Sequence, residues 1–301
     1  MLRQFRTVQR LMSDCKPTWL DIWVLSRMRH GGAARVFMMG VSNFPATVCE
    51  DTTPSRSWKR ARIARLPVDV ISPEDVAKLV VRAINHREKL RVHTLNVDHV
   101  VVAHLRPSFF SVVCSAQLVV ADGMPIVWSL RRRYPEITRV TGTDTVTALF
   151  SHTSGFRFFL LGGKPGVATQ VGNTMLAMGC TGQVVGVAAP DRATVIDDDK
   201  ARDLIDHINA CKPDILLVAF GAPLQEEWLV RHGGDIEAPV TMGVGAAFDF
   251  LSGRLKRAPE PFQRYGLEWA HRIAQDPLRL LKRYLLRDWL FLWYLLRYGI
   301  S

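Results

Sequence analysis

The sequence predicts an α/β fold: a parallel, Rossmann-like sheet with helices on both faces. Short apolar segments of strand length alternate with helical segments from about residue 61 to residue 253, the order typical of chains that build parallel sheets. Some strands, such as 214–220, are apolar at almost every position, which indicates burial on both faces of the sheet. With 301 residues, 48% hydrophobic and 22% charged, the chain can bury a substantial core.

The first half of this region, about residues 61–152, begins its first helix with clear signals. Ser72 is a suitable N-cap, Pro73 fits the first helical position, and Glu74 and Asp75 place acids in the first turn. The predicted elements are a strand at 65–70, a helix through Ile84, a strand at 91–96, helices at about 98–105 and 108–116, a strand at 117–121, a helix from near Pro125 and a helix at 142–150.

The second half, about residues 153–253, repeats the alternation more plainly. Its predicted elements are a strand at 156–161, a helix ending at Met178, a strand at 183–187, a helix at 199–210, a strand at 214–220, a helix at 224–232 and a strand at 240–245. Three of these strands end in glycine, at Gly162-Gly163, Gly221 and Gly243-Val244-Gly245. Backbone N–H groups of such turns and the following helix N-termini can receive a diphosphate, although plain tight turns explain each of them singly.

Charge divides the chain into three parts. Residues 1–60 and residues 254–301 each contain ten Lys or Arg and four Asp or Glu, whereas residues 61–253 are close to neutral in a chain of net charge +11. A nucleic-acid-binding domain that is uniformly basic would not divide in this way. We therefore predict a basic N-terminal arm or linker at 1–60, flexible or unstructured unless translation starts downstream of it, and a basic appendage at 254–301.

The C-terminal appendage contains the most apolar run of the chain. Residues 289–296 combine Trp, Tyr, Phe and Leu between flanking arginines. The run is shorter than the about 20 residues of a membrane-spanning helix, and its composition suits the membrane interface. A helix packed on the core or on a second subunit is the alternative.

Polar residues near strand ends are the candidate site residues. Asp122 follows the predicted strand 117–121, where a partly desolvated carboxylate suits a general base, or where it simply caps the next helix. Arg139, Thr141 and Asp144 surround a helix start suited to phosphate. Gln225 and Glu226, in a first helical turn, suit hydroxyl groups of a sugar or serve only as first-turn polar residues.

Other polar clusters give no site. Asp197, Asp198 and Asp199 fit helix capping better than a metal site. His93, His99 and His104 share no helical face and are interpreted as incidental. Five scattered cysteines offer no paired metal-ligand spacing and favour a reducing compartment. These patterns argue against zinc and redox chemistry.

The ordered motifs resemble those of the WecG/TagA/CpsF family of bacterial glycosyltransferases over about residues 62–285. The matching segments are 94–96 (Thr-Leu-Asn), 121–124 (Ala-Asp-Gly-Met), 139–144 (Arg-Val-Thr-Gly-Thr-Asp), 160–163, 220–226, 243–249, 253–259 and 266–269. Residues 1–60 lie outside the resemblance. Pro125 stands where the family pattern varies, which bears on the choice of donor or acceptor.

The resemblance implies an inverting, metal-independent enzyme at the cytoplasmic face of the cell membrane. It would transfer an N-acetylmannosamine-type sugar, its uronic acid or glucose from a UDP-sugar to a saccharide on polyprenyl diphosphate, in pathways such as those of teichoic acid or exopolysaccharide. Asp122 would be the base, with Thr94 and Asn96 beside it, and Arg272, Arg279 and Lys282 would meet lipid and diphosphate. The candidate substrate-binding residues are Gly123, Arg139, Thr141, Gly142, Asp144, Gly162, Gly163, Gly221, Gln225, Glu226, Gly243, Gly245 and Asp249.

Two other classes are weighed against this one. A nicotinamide-dependent oxidoreductase fits the alternating pattern, but the chain lacks the dinucleotide fingerprint and its ribose-binding acid. A non-catalytic protein could use the basic ends on membrane or nucleic acid. For the transferase we expect an anionic membrane surface as a further partner and no nucleic acid, and the sequence leaves homo-oligomerisation open.

Overall fold

A computed structural model describes residues 57–152, 155–264, 266–275 and 287–301, all within one compact unit, Val48–Ser301. The strands are β1 Arg60–Ile63, β2 Leu66–Asp69, β3 Leu90–Leu95, β4 Leu118–Ala121, β5 Arg157–Gly162, β6 Gln183–Ala188, β7 Ile215–Ala219 and β8 Val240–Gly243. They form a single sheet in the order β1-β2-β4-β3-β8-β7-β5-β6. Among these eight strands only β1 and β2 pair antiparallel, and every other strand pair is parallel, which confirms the predicted fold class.

Helices connect the strands as the sequence pattern predicts. Their bounds are α1 Pro73–His86, α2 Val97–Leu105, α3 Pro107–Cys114, α4 Met124–Arg131, α5 Gly142–His152, α6 Val167–Ala177, α7 Arg192–Ile196, α8 Asp198–Ala210, α9 Leu224–Arg231, α10 Ala247–Leu251, α11 Glu260–Arg264, α12 Glu268–Gln275 and α13 Leu290–Tyr298. The start of α1 follows its signals, since the Ser72 side chain accepts a hydrogen bond from the Asp75 N–H. Asp197 likewise caps α8 by accepting from the N–H groups of Asp199 and Lys200, so the capping interpretation of that acidic cluster is confirmed.

The two faces of the sheet bury separate clusters. On β5 and β7, Phe158 and Leu217 pack in one cluster with α1, α5, α6 and α10. Their strand neighbours Phe159 and Leu216 pack in the other with α7, α8 and α9. Because successive strand side chains point to opposite sides, the sheet is covered on both faces, as the apolar strands predict.

The sequence does not predict the edge strand β1. Its residues alternate between basic and apolar, and the turn to β2 is made by Ala64 and Arg65, which have positive φ angles of 45° and 71° without the usual Gly or Asn signal. Arg60 is held by a bidentate ion pair with the buried Asp69 of β2, with both N···O distances at 2.7 Å. This ion pair joins facing residues of the β1–β2 hairpin, and the sequence does not show it because the turn lacks its usual signal.

The C-terminal segment returns to this edge. Tyr294 of α13 stacks on His104 of α2 with ring centroids 4.3 Å apart, and Ile300 forms an antiparallel bridge with Ile63. One face of α13 is buried through Leu290, Phe291 and Tyr294. The predicted alternative, a C-terminal helix packed on the core, is therefore correct for one face of α13, and the other face of this helix is exposed.

In the described ranges, no helix is long and apolar enough to span a bilayer. The predictions for residues 1–56 of the arm at 1–60, and for Arg279 and Lys282, lie outside the described residues, whereas Arg60, the last residue of that arm, begins β1. They stay predictions.

Candidate active site

The predicted site residues gather at one edge of the sheet. The carboxyl ends of five adjacent strands carry them in the spatial order Asp122 (β4), Asn96 (β3), Gly243 (β8), Gly221 (β7) and Gly162 (β5). The strand that follows β3 in sequence, β4, lies on the β1 side of it in the sheet, whereas the strand that follows β5, β6, lies on the opposite side. Ligand crevices of open α/β sheets lie where the connections reverse direction in this way, so the topology places these residues around one crevice.

Backbone hydrogen bonds hold Asp122 at the end of β4. Its N–H donates to the Leu95 carbonyl at 2.8 Å, and the preceding carbonyl of Ala121 accepts from the Val140 N–H at 2.8 Å. Gly123, with a φ of 110°, occupies the N-cap position of α4 and makes no side-chain cap bond. The interpretation of Asp122 as the cap of this helix is therefore wrong, because the cap position belongs to the next residue.

The Asp122 carboxyl has the electrostatic environment of a base. Burial raises its pKa, and the positive charges of Arg272 and Arg139 lower it in part, while Glu268 raises it further. The net direction is upward. Such a carboxylate is a stronger proton acceptor than an exposed one and still ionises beside its cationic neighbours.

Thr94 and Asn96 lie on β3 and directly after it, beside the Asp122 strand. Thr94 is buried and pairs with Val120 across the β3–β4 ladder. Asn96 caps α2: its Oδ1 accepts from the His99 N–H at 3.2 Å. The structure thus brings both residues to the same sheet edge as Asp122.

His99 belongs to this site, although the sequence pattern gave it no role. Its Nδ1 accepts from the Asn96 N–H at 3.2 Å, and its Nε2 lies 3.3 Å from Oε1 of Glu226. Both side chains are buried. The interpretation of the three histidines as incidental is wrong for His99, because the contact with Glu226 spans 127 residues of sequence and no local spacing reveals it.

Gln225 joins Glu226 to the glycine turns. Its Nε2 donates to Glu226 Oε1 at 2.7 Å, and its Oε1 accepts from the N–H groups of Gly221 and Gly245, both at 3.1 Å. A Cβ at Gly243 would lie 2.8 Å from Gln225 Nε2, so any larger residue there would displace the Gln225 side chain. Gln225 and Glu226 thus point into the protein, and the predicted contact with sugar hydroxyls stays a prediction.

Two arginines and two carboxylates link the core to the C-terminal region. Arg139 Nη1 lies 2.5 Å from Glu268 Oε2, and Arg257 contacts Glu268 at 3.4 Å and Asp144 at 2.6 Å. Thr141 Oγ1 accepts from the Asp144 N–H at 3.0 Å at the start of α5. These contacts bring α12, and with it Arg272, over the end of β4.

The glycine turns of the second half fit closely against neighbouring backbone. A Cβ at Gly162, where φ is 100°, would lie 2.8 Å from the carbonyl group of Ala219. Gly163 donates its N–H to that carbonyl at 3.0 Å, and a Cβ at Gly142 would lie 2.9 Å from the Val244 oxygen. Glycine at positions 162 and 142 therefore lets these backbone segments approach their neighbours more closely than a residue with a Cβ could.

Asp249, the remaining predicted binding residue, lies on α10 and pairs with Arg254 at 2.5 Å. Within the ranges that the structure describes, no three His, Cys, Asp or Glu side chains converge as metal ligands would.

This fold and site define an α/β enzyme with a partly buried carboxylate among cationic side chains, suited to deprotonating a hydroxyl group beside an anionic substrate. The model of the glycosyl transferase WecG/TagA/CpsF family matches residues 61–301. The chain belongs to this family, and the match continues beyond the motifs to the last residue. Membership makes the protein a glycosyltransferase of cell-surface polysaccharide biosynthesis and suggests a sugar nucleotide and a lipid-linked acceptor as its substrate classes. Family membership therefore takes the place of the two alternative interpretations, an oxidoreductase and a non-catalytic binding protein.

Proposed function

We propose that the protein transfers a sugar from a UDP-sugar to a saccharide carried on polyprenyl diphosphate, with inversion at the anomeric carbon. The sugar is of the N-acetylmannosamine type, its uronic acid or glucose. The observation that carries the proposal is the Asp122 carboxyl, whose raised pKa and cationic neighbours suit a base acting next to a diphosphate.

In this reaction Asp122 takes the proton of the acceptor hydroxyl as its oxygen attacks the anomeric carbon. The bond from that carbon to the diphosphate oxygen breaks, and UDP leaves from the opposite side. A single displacement of this kind inverts the configuration. Thr94 and Asn96, beside Asp122 on the neighbouring strand, would orient the acceptor.

Cationic side chains would stabilise the negative charge that develops on the leaving UDP. Arg139 and Arg272 are close enough to Asp122 to influence its pKa, and Arg257 lies in the same ion-pair network as Arg139. Across the crevice, the N-terminus of α6, which follows the Gly162-Gly163 turn, is proposed to meet the diphosphate; the Gly163 N–H itself is donated to Ala219. The reaction needs no cofactor in this proposal.

The rim of the site fits a lipid-linked acceptor. A Cβ at Gly266 would touch Met124 and Trp128 of α4, so the α11–α12 turn lies against the helix that follows Asp122. Trp128, Leu267 and Trp269 around this turn are exposed by 49%, 39% and 46%. Exposed aromatic and aliphatic side chains beside a charged site are typical of surfaces that meet lipid.

The exposed face of α13 supports the proposal of peripheral membrane binding. Trp289, Leu292 and Leu296 are exposed by 45%, 63% and 87%, and they follow one another at helical spacing. Arg297 lies over the Trp293 ring at 5.7 Å. Aromatic and cationic groups combined in this way suit the headgroup layer of an anionic membrane, and the substrates would place the enzyme at the inner face of the cell membrane.

A donor screen tests the function. Purified protein is incubated with a panel of UDP-sugars and a lipid-diphosphate acceptor bearing N-acetylglucosamine or glucose, and UDP release is measured. We expect release with one donor and an inverted linkage in the product. Absence of UDP release with every donor and both acceptors would contradict the proposal.

A further inference from the structure

We infer that His99 and Glu226 form a positioning bridge that couples the donor-side glycine turns to the proton-accepting side of the crevice. This inference deepens the proposed function and rests on it. The bridge consists of the contact between His99 Nε2 and Glu226 Oε1 at 3.3 Å. It joins α2, which follows β3, to α9, which follows β7.

The bridge continues on the acceptor side to Asn96. Since His99 Nδ1 accepts from the Asn96 N–H, the ring carries its proton on Nε2 and donates it to Glu226. The same ring stacks on Phe109 with centroids 5.9 Å apart, which fixes its plane. Asn96 directly follows Leu95, whose carbonyl accepts the Asp122 N–H at 2.8 Å. His99 therefore orients the segment that holds the base.

On the donor side the bridge continues to two glycine turns. Glu226 Oε1 accepts from Gln225 Nε2, and Gln225 Oε1 accepts from the N–H groups of Gly221 and Gly245. A continuous chain of hydrogen bonds thus runs from the strand end beside Asp122 to the two turns. A ligand that shifts either turn would therefore also shift the segment that holds Asp122, through this chain of hydrogen bonds.

The burial of this pair favours a functional role over a purely structural one. Glu226 is only 1% exposed and His99 4%. Glu226 Oε2 has no hydrogen-bond partner among the residues that the structure describes. A buried carboxylate with an unsatisfied oxygen is costly compared with an apolar pair of the same volume, and such costs concentrate at functional sites. His99 and Glu226 are positioning residues here, since neither is placed against substrate.

The test compares variants that break the bridge with a matched control. His99→Phe combined with Glu226→Gln removes the pair without leaving a buried unpaired charge. His99→Gln keeps a donor toward Glu226. His232→Phe alters a buried histidine at the end of α9, which lies against Trp228 and outside the bridge. For each folded variant, kcat, the Kd for UDP and the melting temperature are measured.

We expect the double variant to bind UDP within about threefold of wild type and to lose about tenfold or more in kcat, because misplaced groups slow chemistry more than they weaken binding. His99→Gln should recover most of this loss, and His232→Phe should keep its kcat. A double variant with wild-type kcat, or a control that loses as much, contradicts the bridge while the transferase stands. A wild type that neither binds UDP nor releases it contradicts the proposed function, and the bridge falls with it.

Discussion

Arg139 Nη1 lies 2.5 Å from Glu268 Oε2, so a carboxylate of α12 holds the arginine that the sequence assigns to phosphate. Glu268 also raises the pKa of Asp122, whereas Arg272, one turn further along α12, lowers it. One helix of the C-terminal region thus presents both an anion and a cation to the proposed base. The proton affinity of Asp122 is set in part by residues 146 or more positions away in sequence.

The substitution Glu268→Gln should shift the acidic limb of the pH–rate profile to lower pH. The base must be deprotonated, so activity falls as pH drops through the pKa of Asp122. Removing the Glu268 charge removes a contribution that raises this pKa. The measurement is kcat as a function of pH, because its inflection is independent of the absolute rate. A limb that stays in place would show that Glu268 does not act on the base.

Arg272→Gln is the matched substitution of opposite sign on the same helix. The positive charge of Arg272 is the largest influence that lowers the pKa of Asp122, so its removal should move the acidic limb to higher pH. The rate at every pH should also fall if Arg272 meets the diphosphate. The two variants are compared in one buffer series. Shifts in the same direction would contradict the electrostatic assignment.

The sequence predicts much of this fold and site because its signals are local. Alternating strands and helices give the parallel sheet, and glycine turns and Asp122 mark strand ends. A parallel sheet places such ends along one edge, so residues distant in sequence can be predicted to share a crevice. The order of the strands cannot be predicted in this way, because it depends on packing across the whole domain.

The unpredicted parts are long-range contacts between polar residues. His99 contacts Glu226, which is 127 residues away along the chain, and Arg60 pairs with Asp69 on the facing strand of the β1–β2 hairpin. The first pair has no spacing that a helix or hairpin would produce, and the second can be recognised only once the β1–β2 hairpin and its register are known. A buried histidine or acid in an apolar segment is the signal that could have prompted a search for such a partner.

Gly162→Ala should lower the free energy of unfolding more than Gly166→Ala. Both glycines have positive φ angles, 100° and 83°, but a Cβ at Gly162 would lie 2.8 Å from Ala219 whereas Gly166 faces open space. The backbone strain common to both is about 1–2 kcal/mol. Urea unfolding of the two variants isolates the additional cost of moving β5 against β7. Equal losses would show that the turn adjusts without cost.

The two faces of α13 should respond differently to substitution. Tyr294→Ala removes a ring that is 3% exposed and stacked on His104, and should cost about 3–5 kcal/mol of stability. Leu292→Ser with Leu296→Ser alters the exposed face and should leave the melting temperature near that of wild type. Cosedimentation with vesicles containing anionic lipid should fall for the serine variant. Unchanged vesicle binding would remove this face from the proposed membrane surface.

Asp122→Asn should separate the demands of catalysis from those of stability. Loss of the base should lower kcat about 10²-fold or more. The variant should be more stable than wild type at neutral pH, because the folded state raises the pKa of this carboxyl above the unfolded value of about 3.9. An acid with a raised pKa stabilises the fold at low pH, and that contribution is lost as pH rises through the unfolded and then the folded pKa. Asparagine does not ionise, so the melting temperature of the variant should rise relative to that of wild type as pH increases from about 4 to neutrality. A difference that stays constant over this range, together with wild-type turnover, would mean that Asp122 neither carries the raised pKa nor acts as the base.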